Sequence, residues 1–321
     1  HFYIRTTQGQ RNQVEAALFA QYPDAEMRIV TDDYINLLPE KFNPQEYDLA
    51  GNDFLTTQPP AYPIKSWREF EEKGGKDDNV RIDTLSPLFE MMGGLRQGEH
   101  LWLQYVVRPT GGDWVKEGQK AIDKILGKPE KKVDHPLKFI STAIDGLIGI
   151  AKKPEEKKPE EKFNLGALTP MQKLVLEQVE LKLSKPAFKA AIRVLYVARK
   201  DAFVGTRTAG VNAMFKQLFA NNLNSFKPGS GTRDKGKFNW MFPSDKGFGA
   251  DSATLGKKNG MYDAYRKRSF SPPAPEKSYN LILNVEELAT LWHLPGLNAK
   301  APLLPRVSAK KGQPPVFLPT R

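Results

Sequence analysis

The chain has 321 residues, with 48 Lys and Arg against 37 Asp and Glu, and a formal net charge of +11. That length suits about two domains, at roughly 100–200 residues each. The lack of cysteine excludes disulfides, iron–sulfur clusters and cysteine nucleophiles, and the four scattered histidines lack metal-ligand spacing. No apolar run reaches the ~20 residues that a membrane-spanning helix needs.

The excess positive charge lies in two segments. Residues 227–268 hold ten basic and four acidic side chains, and residues 300–321 hold five basic side chains and no acid. Their net charges of +6 and +5 account for the whole +11, so the remainder of the chain is neutral. A chain-wide affinity for phosphates is therefore not expected, because only one internal segment and one tail carry surplus cations.

Residues 1–110 are predicted to form a first α+β unit. The predicted elements are, in chain order, strand 2–6, helix 10–22, strands 27–30 and 34–38, a helix from Ser86, and strand 101–108. In the second helix Ser86 is the expected N-cap and Pro87 stands in the first turn. This order is typical of a ferredoxin-like sandwich. The polar stretch 39–79 has no assignment.

The segment 111–163 differs in composition and is predicted to link two units. It contains two amphipathic helices, 114–126 and 137–150, and a Lys/Glu/Pro-rich linker at 152–162. The apolar stripes suit packing on the protein core, which is their commoner fate. The alternative is contact with an anionic membrane surface. The lysines that would face the headgroups are Lys116, Lys120, Lys124 and Lys138.

Residues 164–297 are predicted to form a second α+β unit. Its first helix begins with a capping box, with Thr169 as N-cap, Pro170 at N1 and Gln172 at N3. The side chains expected on the buried face of that helix are Met171, Leu174, Val175 and Val179. The later predicted elements are strand 192–199, a helix with Val211, Met214, Phe215 and Leu218 inward, strand 279–283, and a helix capped by Asn284 that ends at 294–296.

The predicted fold class is therefore α+β, with two ferredoxin-like sandwich units, a helical linker, a long basic insertion at 227–278 and a Pro-rich basic connector at 298–321. Both units contain a Ser/Thr-Pro helix start, a helix and a strand that ends in a basic residue. A diverged duplication explains this shared pattern. Coincidence is the alternative, because Ser/Thr-Pro is a common helix start.

No motif in the sequence supports catalysis. The heptapeptide 231–237 has the spacing of a phosphate-binding P-loop, but Phe238 replaces the hydroxyl residue that binds magnesium. The tetrapeptide 246–249 begins like an RNA-recognition signature, but Ala250 and Asp251 lack its aromatic and β-branched side chains. We therefore predict that the chain is not an enzyme and has no catalytic residue, metal site or cofactor.

The basic insertion interleaves cations with aromatic side chains. Cations bind phosphates and aromatic rings stack on unpaired bases, so this mixture suits single-stranded nucleic acid. The predicted contact residues are Lys227, Arg233, Lys235, Lys237, Trp240, Lys257, Lys258, Tyr265, Arg266, Lys267 and Arg268. The alternatives are anionic lipid, a neighbouring subunit, or aromatic rings that hold the insertion on its own domain.

Four blocks of sequence carry a resemblance to a known family. The blocks are Phe2-Tyr3-Ile4-Arg5 with 11–15 and 20–24; Leu85-Ser86-Pro87 with Gly98-Glu99 and Trp102-Leu103-Gln104; Asn222-Leu223-Asn224-Ser225-Phe226; and 286–295, from Glu286-Glu287 to Trp292-His293-Leu294-Pro295. In this order they resemble the region that precedes the motor domain in bacterial type IV secretion and conjugative-transfer ATPases of the hexameric DNA-pumping class.

The resemblance implies an assembly role and no catalytic residue in this chain. It places an ATPase motor after the connector, a membrane anchor before His1, and the protein on the cytoplasmic side of the bacterial inner membrane. The first residue is His1 rather than methionine, as expected of a fragment or a processed product. The partners implied are the motor, further copies of the chain, DNA and an anionic membrane. The alternative is a free-standing α+β protein that binds single-stranded nucleic acid.

Overall fold

A computed structural model describes residues 1–74, 83–127, 168–218, 220, 222–232, 250–270 and 281–295. Within these residues five strands form one antiparallel sheet, and eight α-helices accompany it, which confirms the α+β class. The strands are β1 (Tyr47–Thr56), β2 (Glu99–Pro109), β3 (Ala187–Arg199), β4 (Phe226–Gly231) and β5 (Ile282–Asn284). The helices are α1 (Arg11–Gln21), α2 (Trp67–Gly74), α3 (Ser86–Gly93), α4 (Asp113–Ile125), α5 (Pro170–Leu183), α6 (Arg207–Gln217), α7 (Ala250–Arg266) and α8 (Val285–Leu291).

The central strand of the sheet is β3. The strand order is β2-β3-β1-β4, and β5 pairs with the first residues of β3. Every side chain from Ala190 to Ala198 is buried, as expected of a strand that is covered on both faces. Strands from the two predicted units interleave, because β3 lies between β1 and β2. The duplication into two ferredoxin-like units is therefore not confirmed.

Two apolar layers cover the sheet. On one face, Phe54, Tyr196 and their neighbours pack against α3, α6 and α8. On the other face, Leu49 and Val197 pack against α7 and a short 3-10 helix, Tyr34–Leu37. A third, smaller cluster joins α4 and α5 to residues 61 and 62.

Three of the strands predicted in the first unit are wrong. Residues 2–6 and 27–30 lie outside the sheet, and Tyr34–Leu37 is a 3-10 helix because the Asp33 side chain accepts a hydrogen bond from its backbone. The strand that pairs with β3 on this side is β1, which comes from the unassigned polar stretch. The polar residues of β1 make its sequence look like a surface loop. In the structure one of them, Asp53, is buried because it pairs with Arg193.

Most helix predictions are confirmed, with changes at the ends. The predicted helix at residue 86 is α3, but Leu85 is its N-cap, and Asp83 rather than Ser86 accepts a hydrogen bond from the backbone there. The predicted capping box of α5 is formed, and the predicted cap of α8, Asn284, is part of a capping box with Glu287. Helix α8 ends at Leu291, before the predicted stop at 294–296.

Several predictions lie outside the described residues. They are helix 137–150, linker 152–162, residues 233–249 and 271–278 of the basic insertion, and the connector 298–321. No helix in the described part of the chain is long and apolar enough to cross a membrane.

Candidate functional site

Helix α7 brings the densest part of the predicted basic site against the sheet. Its buried side chains Met261, Tyr262 and Tyr265 are spaced to share one helix face, and they pack against Leu49 of β1 and Leu195 of β3. This packing fixes the end of the helix, so that residues 265–268 meet both the sheet and the segment 33–38. We call residues 265–268 the α7 terminus.

Tyr265 is part of the core and is not displayed to solvent. Its side chain is 1% exposed, its ring stacks on Trp102 at 5.4 Å between centroids, and its hydroxyl lies 2.9 Å from that of Tyr34. Burial raises the pKa of Tyr265 well above its ordinary value. A nucleic-acid base therefore has no access to this ring in the folded chain.

The two arginines of the α7 terminus hold the segment 33–38. Arg266 donates from Nη1 to the carbonyl oxygens of Ile35 at 2.5 Å and Leu38 at 3.4 Å. Arg268 forms an ion pair with Asp33. Both guanidinium groups thus bind partners in the same chain, which leaves them less free to bind phosphate.

Two lysines of the predicted site also have acidic partners. Lys258 lies 2.5 Å from a carboxylate oxygen of Asp48 on β1. Lys267 pairs with Asp263, one turn earlier on the helix, and both of these side chains are largely exposed. An exposed pair such as Lys267 and Asp263 contributes little to stability. Both pairs nevertheless place an acidic group beside a lysine of the predicted site.

A polar row in the sheet lies beneath the α7 terminus. Cross-strand pairing aligns Gln104 of β2, Arg193 of β3 and Asp53 of β1. Gln104 donates to the Tyr265 carbonyl at 3.1 Å, and Arg193 donates to the Ser269 carbonyl at 3.3 Å and to Asp53 at 2.6 Å. Donors from the sheet therefore satisfy carbonyls at the negative end of the helix.

The helix stops with an unusual residue in a common motif. The Ser269 N–H donates to the Ala264 carbonyl and the Arg268 N–H donates to the Tyr265 carbonyl, which is the Schellman pattern. Arg268, the first residue after the helix cap in this motif, adopts the left-handed conformation, with a φ of 50°. Glycine normally occupies this position, so the ion pair with Asp33 compensates for backbone strain.

Part of the predicted site lies outside the described residues, namely Arg233, Lys235, Lys237 and Trp240. The structure places Lys227 on the edge strand β4 and Lys257 on α7, and both side chains are exposed. The structure thus divides the predicted site into an intramolecular cluster at the α7 terminus and separate exposed lysines.

A different surface is formed by α4 and α5. The two helices pack closely at Gly118, where a Cβ atom would lie 2.3 Å from a Leu183 methyl carbon. Val175, Leu176 and Val179 of α5 are buried in the third apolar cluster. The predicted burial of Met171 and Leu174 is wrong, because the buried face of α5 is centred on Val175 and Val179 and these two side chains flank it.

An exposed apolar stripe therefore runs along α5. It consists of Met171, Leu174 and Leu181, which lie on one side of the helix and are 41–49% exposed. We call these three side chains the α5 stripe. Large apolar side chains exposed on one side of a helix are typical of protein contact sites.

Buried charges elsewhere in the chain have structural partners. Glu99 accepts hydrogen bonds from Arg207 and Tyr196, while Lys182 and Glu287 form an ion pair that is almost fully buried. Burial alone would raise the pKa of Glu99, but the hydrogen bonds from Arg207 and Tyr196 outweigh it and lower that pKa to about 2.

These networks contain no cluster of metal ligands. No group of three or more His, Asp or Glu side chains in the described residues is placed to hold a metal ion. The acidic partners in these networks are not evident from sequence motifs. A charged residue within an apolar strand, such as Arg193 in β3, is the signal that points to them, because a buried cation requires a buried partner.

Comparison with known proteins places the chain in a family. A family model described as a domain of unknown function, DUF8128, matches residues 1–227 of the 321. The chain belongs to the DUF8128 family. No curated protein and no solved structure matches it.

The DUF8128 match ends at the start of β4, but the packed sheet continues past it. Tyr265 of α7 and Leu283 of β5 lie in the same apolar clusters as the matched strands. The α7 terminus therefore belongs to the fold that the DUF8128 region begins, although it follows that region in sequence.

Proposed function

We propose that the chain is a non-catalytic assembly module of a membrane-associated DNA-translocating ATPase of the type IV secretion or conjugation class. The assembly role rests on the α5 stripe, whose three large apolar side chains are 41–49% exposed. Apolar side chains suit a protein partner, because contact with nucleic acid requires cations. The ATPase assignment rests on the four sequence blocks that resemble the region preceding such motors.

The partners of this proposed module are the motor, further copies of the chain, DNA and an anionic membrane. The contacts of Arg266 and Arg268 within the chain support a structural role for the α7 terminus. Contact with DNA or lipid is then assigned to Lys227 and the basic residues between 233 and 249. In this arrangement the module positions the motor through α5 and contacts DNA or lipid through the insertion.

The alternative proposal is a free-standing α+β protein that binds single-stranded nucleic acid. The exposure of Lys227 and Lys257 favours it, since the two lysines flank a segment that also holds Arg233, Lys235 and Lys237. Sequence upstream of His1 and downstream of Arg321 distinguishes the two proposals. The ATPase proposal requires an apolar span and a P-loop there.

We also propose that α3–β2 and α5–β3 diverged from one duplicated helix–strand unit. Both helices begin with a Ser/Thr-Pro pair, and their strands are direct neighbours in the sheet. A full ferredoxin-like unit is not needed to explain this likeness.

The assembly role is tested in the full-length protein by Leu174→Glu combined with Leu181→Glu. We expect the double variant to lose oligomers in sedimentation velocity and to lose motor activity, because charge on the α5 stripe opposes an apolar contact. The matched control is Glu177→Lys, an exposed polar position on the same helix, which should leave both unchanged. Normal oligomers in the double variant would refute the role of α5.

A further inference from the structure

Strand β2 is an edge of the sheet and is 11 residues long. The Gly98 carbonyl, directly before β2, accepts a hydrogen bond from the Arg199 N–H of β3. Backbone groups of successive residues in an antiparallel strand point to opposite sides, so the even-numbered residues of β2 bond to β3 and the odd-numbered ones face outward. The outward-facing residues inside the strand are Leu101, Leu103, Tyr105 and Val107.

The outward backbone groups of these residues have no hydrogen-bond partner in the described part of the chain. Tyr3 stacks on Tyr34, whose ring contacts Trp102 of β2. The described residues 1–6 nevertheless make no backbone hydrogen bond to the strand. The outer edge of β2 is therefore an open row of donors and acceptors that can pair with another strand.

The opposite edge of the sheet carries features that oppose such pairing. Strand β4 has only six residues, which include Lys227 and Pro228, and its register with β1 shifts between Asn52 and Phe54. Short strands, lysines, prolines and bulges all protect a sheet edge. Residues 101–107 of β2 contain no charge, proline or glycine, and most of them favour strands. The contrast between the two edges indicates a partner strand for β2.

We propose that β2 pairs with the β2 strand of a second copy of the chain, antiparallel about a two-fold axis at Gln104. An antiparallel pair of identical strands satisfies two-fold symmetry, in which both copies contribute the same surface. In this register outward-facing residues oppose outward-facing residues, so backbone hydrogen bonds join the two sheets. The opposed pairs are Leu101 with Val107 and Leu103 with Tyr105.

The side chains of β2 complement one another in this register. Trp102 opposes Val106, and pairs of aromatic and β-branched side chains stabilise a sheet. His100 opposes Arg108, which would be unfavourable if both carried charge. Burial lowers the pKa of His100 below its ordinary value of about 6.5, so the imidazole is neutral at pH 7 and does not repel the guanidinium.

Gln104 supports the position of the axis. Its side chain is only 8% exposed, and its Nε2 donates to the Tyr265 carbonyl. Its Oε1 is buried and has no hydrogen-bond partner among the described residues. On the axis Gln104 opposes Gln104 of the second copy, and directly opposed side chains lie about 4.5–5.5 Å apart at Cβ. The second amide has a further N–H, which can satisfy this oxygen.

The pairing needs neither a motor nor the α5 stripe, so it goes beyond the proposed function. Sedimentation velocity of the 321-residue chain should show a dimer, and Val107→Pro should raise its Kd by at least about tenfold. Proline removes an outward N–H at each end of the pair, which is two hydrogen bonds in the dimer. Edge strands tolerate proline at such positions, and urea unfolding checks that the variant folds. The matched control is Val107→Thr, which keeps the N–H and the branched shape and should dimerise like the wild type.

A second measurement does not depend on the folding of Val107→Pro. The chain has no cysteine and Val107 is 49% exposed, so Val107→Cys accepts one nitroxide in each copy. Position 107 opposes 101, six residues away, so the two labelled positions in the dimer should lie about 20 Å apart. Double electron–electron resonance measures this distance.

Three outcomes would refute the pairing. The first is a chain that stays monomeric, as expected if another segment occupies the edge of β2. The second is a label distance of more than about 35 Å, roughly the length of β2. The third is a dimer that is as strong in Val107→Pro as in Val107→Thr. Leu174→Glu combined with Leu181→Glu should leave the β2 dimer intact. A dimer that dissociates in that double variant but not in Val107→Pro would place the contact on α5 instead.

Discussion

The α7 terminus and α5 use their side chains in opposite ways. The α7 terminus is rich in cations and aromatic rings, which are typical of a binding surface, yet Tyr265 is buried and Arg266 and Arg268 bind the chain itself. Helix α5 has no unusual composition, yet it exposes the α5 stripe. Composition alone therefore does not distinguish a binding surface from an intramolecular contact.

The physical reason is that a long, charged side chain has two ways to satisfy its charge. It can remain in water for an external partner, or it can bind carbonyls and carboxylates supplied by the fold. At the α7 terminus the fold supplies them from segment 33–38 and from the sheet. On the α5 stripe, the Asn222 amide donates to the Met171 sulfur, but all three side chains remain 41–49% exposed because they lie outside the buried face of α5.

The largest expected effect comes from the polar row beneath the α7 terminus. Arg193→Ala should lower the free energy of unfolding by about 3–5 kcal/mol, because it removes the guanidinium that neutralises buried Asp53. Urea unfolding measures the loss. Arg199→Ala, at the exposed end of the same strand, is the control and should cost less than about 0.5 kcal/mol. Equal losses of unfolding free energy in the two variants would mean that the buried ion pair stabilises the chain no more than the exposed one.

The next effect depends on pH. Glu99→Gln should destabilise the chain by about 2 kcal/mol at pH 7, because the ionised carboxylate binds Arg207 and Tyr196. The folded-state pKa of Glu99 is about 2, below its unfolded value of about 4.3. Its contribution is thus complete above pH 4.3 and disappears as the pH falls toward 2. Chemical unfolding measures the difference in unfolding free energy between the wild-type chain and Glu99→Gln. This difference should be smaller at pH 3 than at pH 7, and an equal difference at both pH values would contradict the role of the ionised carboxylate.

A smaller effect separates backbone strain from the ion pair at the α7 terminus. Arg268→Ala loses the contact with Asp33 and keeps the strained φ, whereas Arg268→Gly loses the contact but relieves the strain. We expect the glycine variant to be more stable than the alanine variant by about 1 kcal/mol in urea unfolding. An alanine variant as stable as the glycine variant would show that the left-handed conformation is not kept.

The smallest effect on stability is expected at the α5 stripe. Leu174→Glu should change the free energy of unfolding by less than about 0.5 kcal/mol, because its side chain is already half exposed. Val179→Ala on the buried face of the same helix should cost about 2 kcal/mol. Thermal unfolding of both variants measures their losses of stability and shows which face of α5 belongs to the core. A large loss in Leu174→Glu would mean that the α5 stripe belongs to the core.

The sequence predicted helices and caps better than strands. The capping boxes at Thr169 and Asn284 depend on residues three apart, so local pattern is sufficient for them. Strand β1 was missed because its buried Asn52 and Asp53 look like surface residues until Arg193 is known to lie beside them. The contacts between the α7 terminus and segment 33–38 join residues more than 200 positions apart, which local pattern cannot reveal.

The most direct test of the central claim compares the salt dependence of single-stranded DNA binding in two variants. Each phosphate contact contributes about −0.7 to the slope of log K against log salt concentration. Replacing Arg266 and Arg268 by glutamine should leave the slope of the wild-type chain unchanged, because both arginines bind within the chain. Replacing Arg233 and Lys235 provides the comparison within the insertion. A slope that falls by about 1.4 in the Arg266 and Arg268 variant would contradict the claim that the α7 terminus is an intramolecular contact.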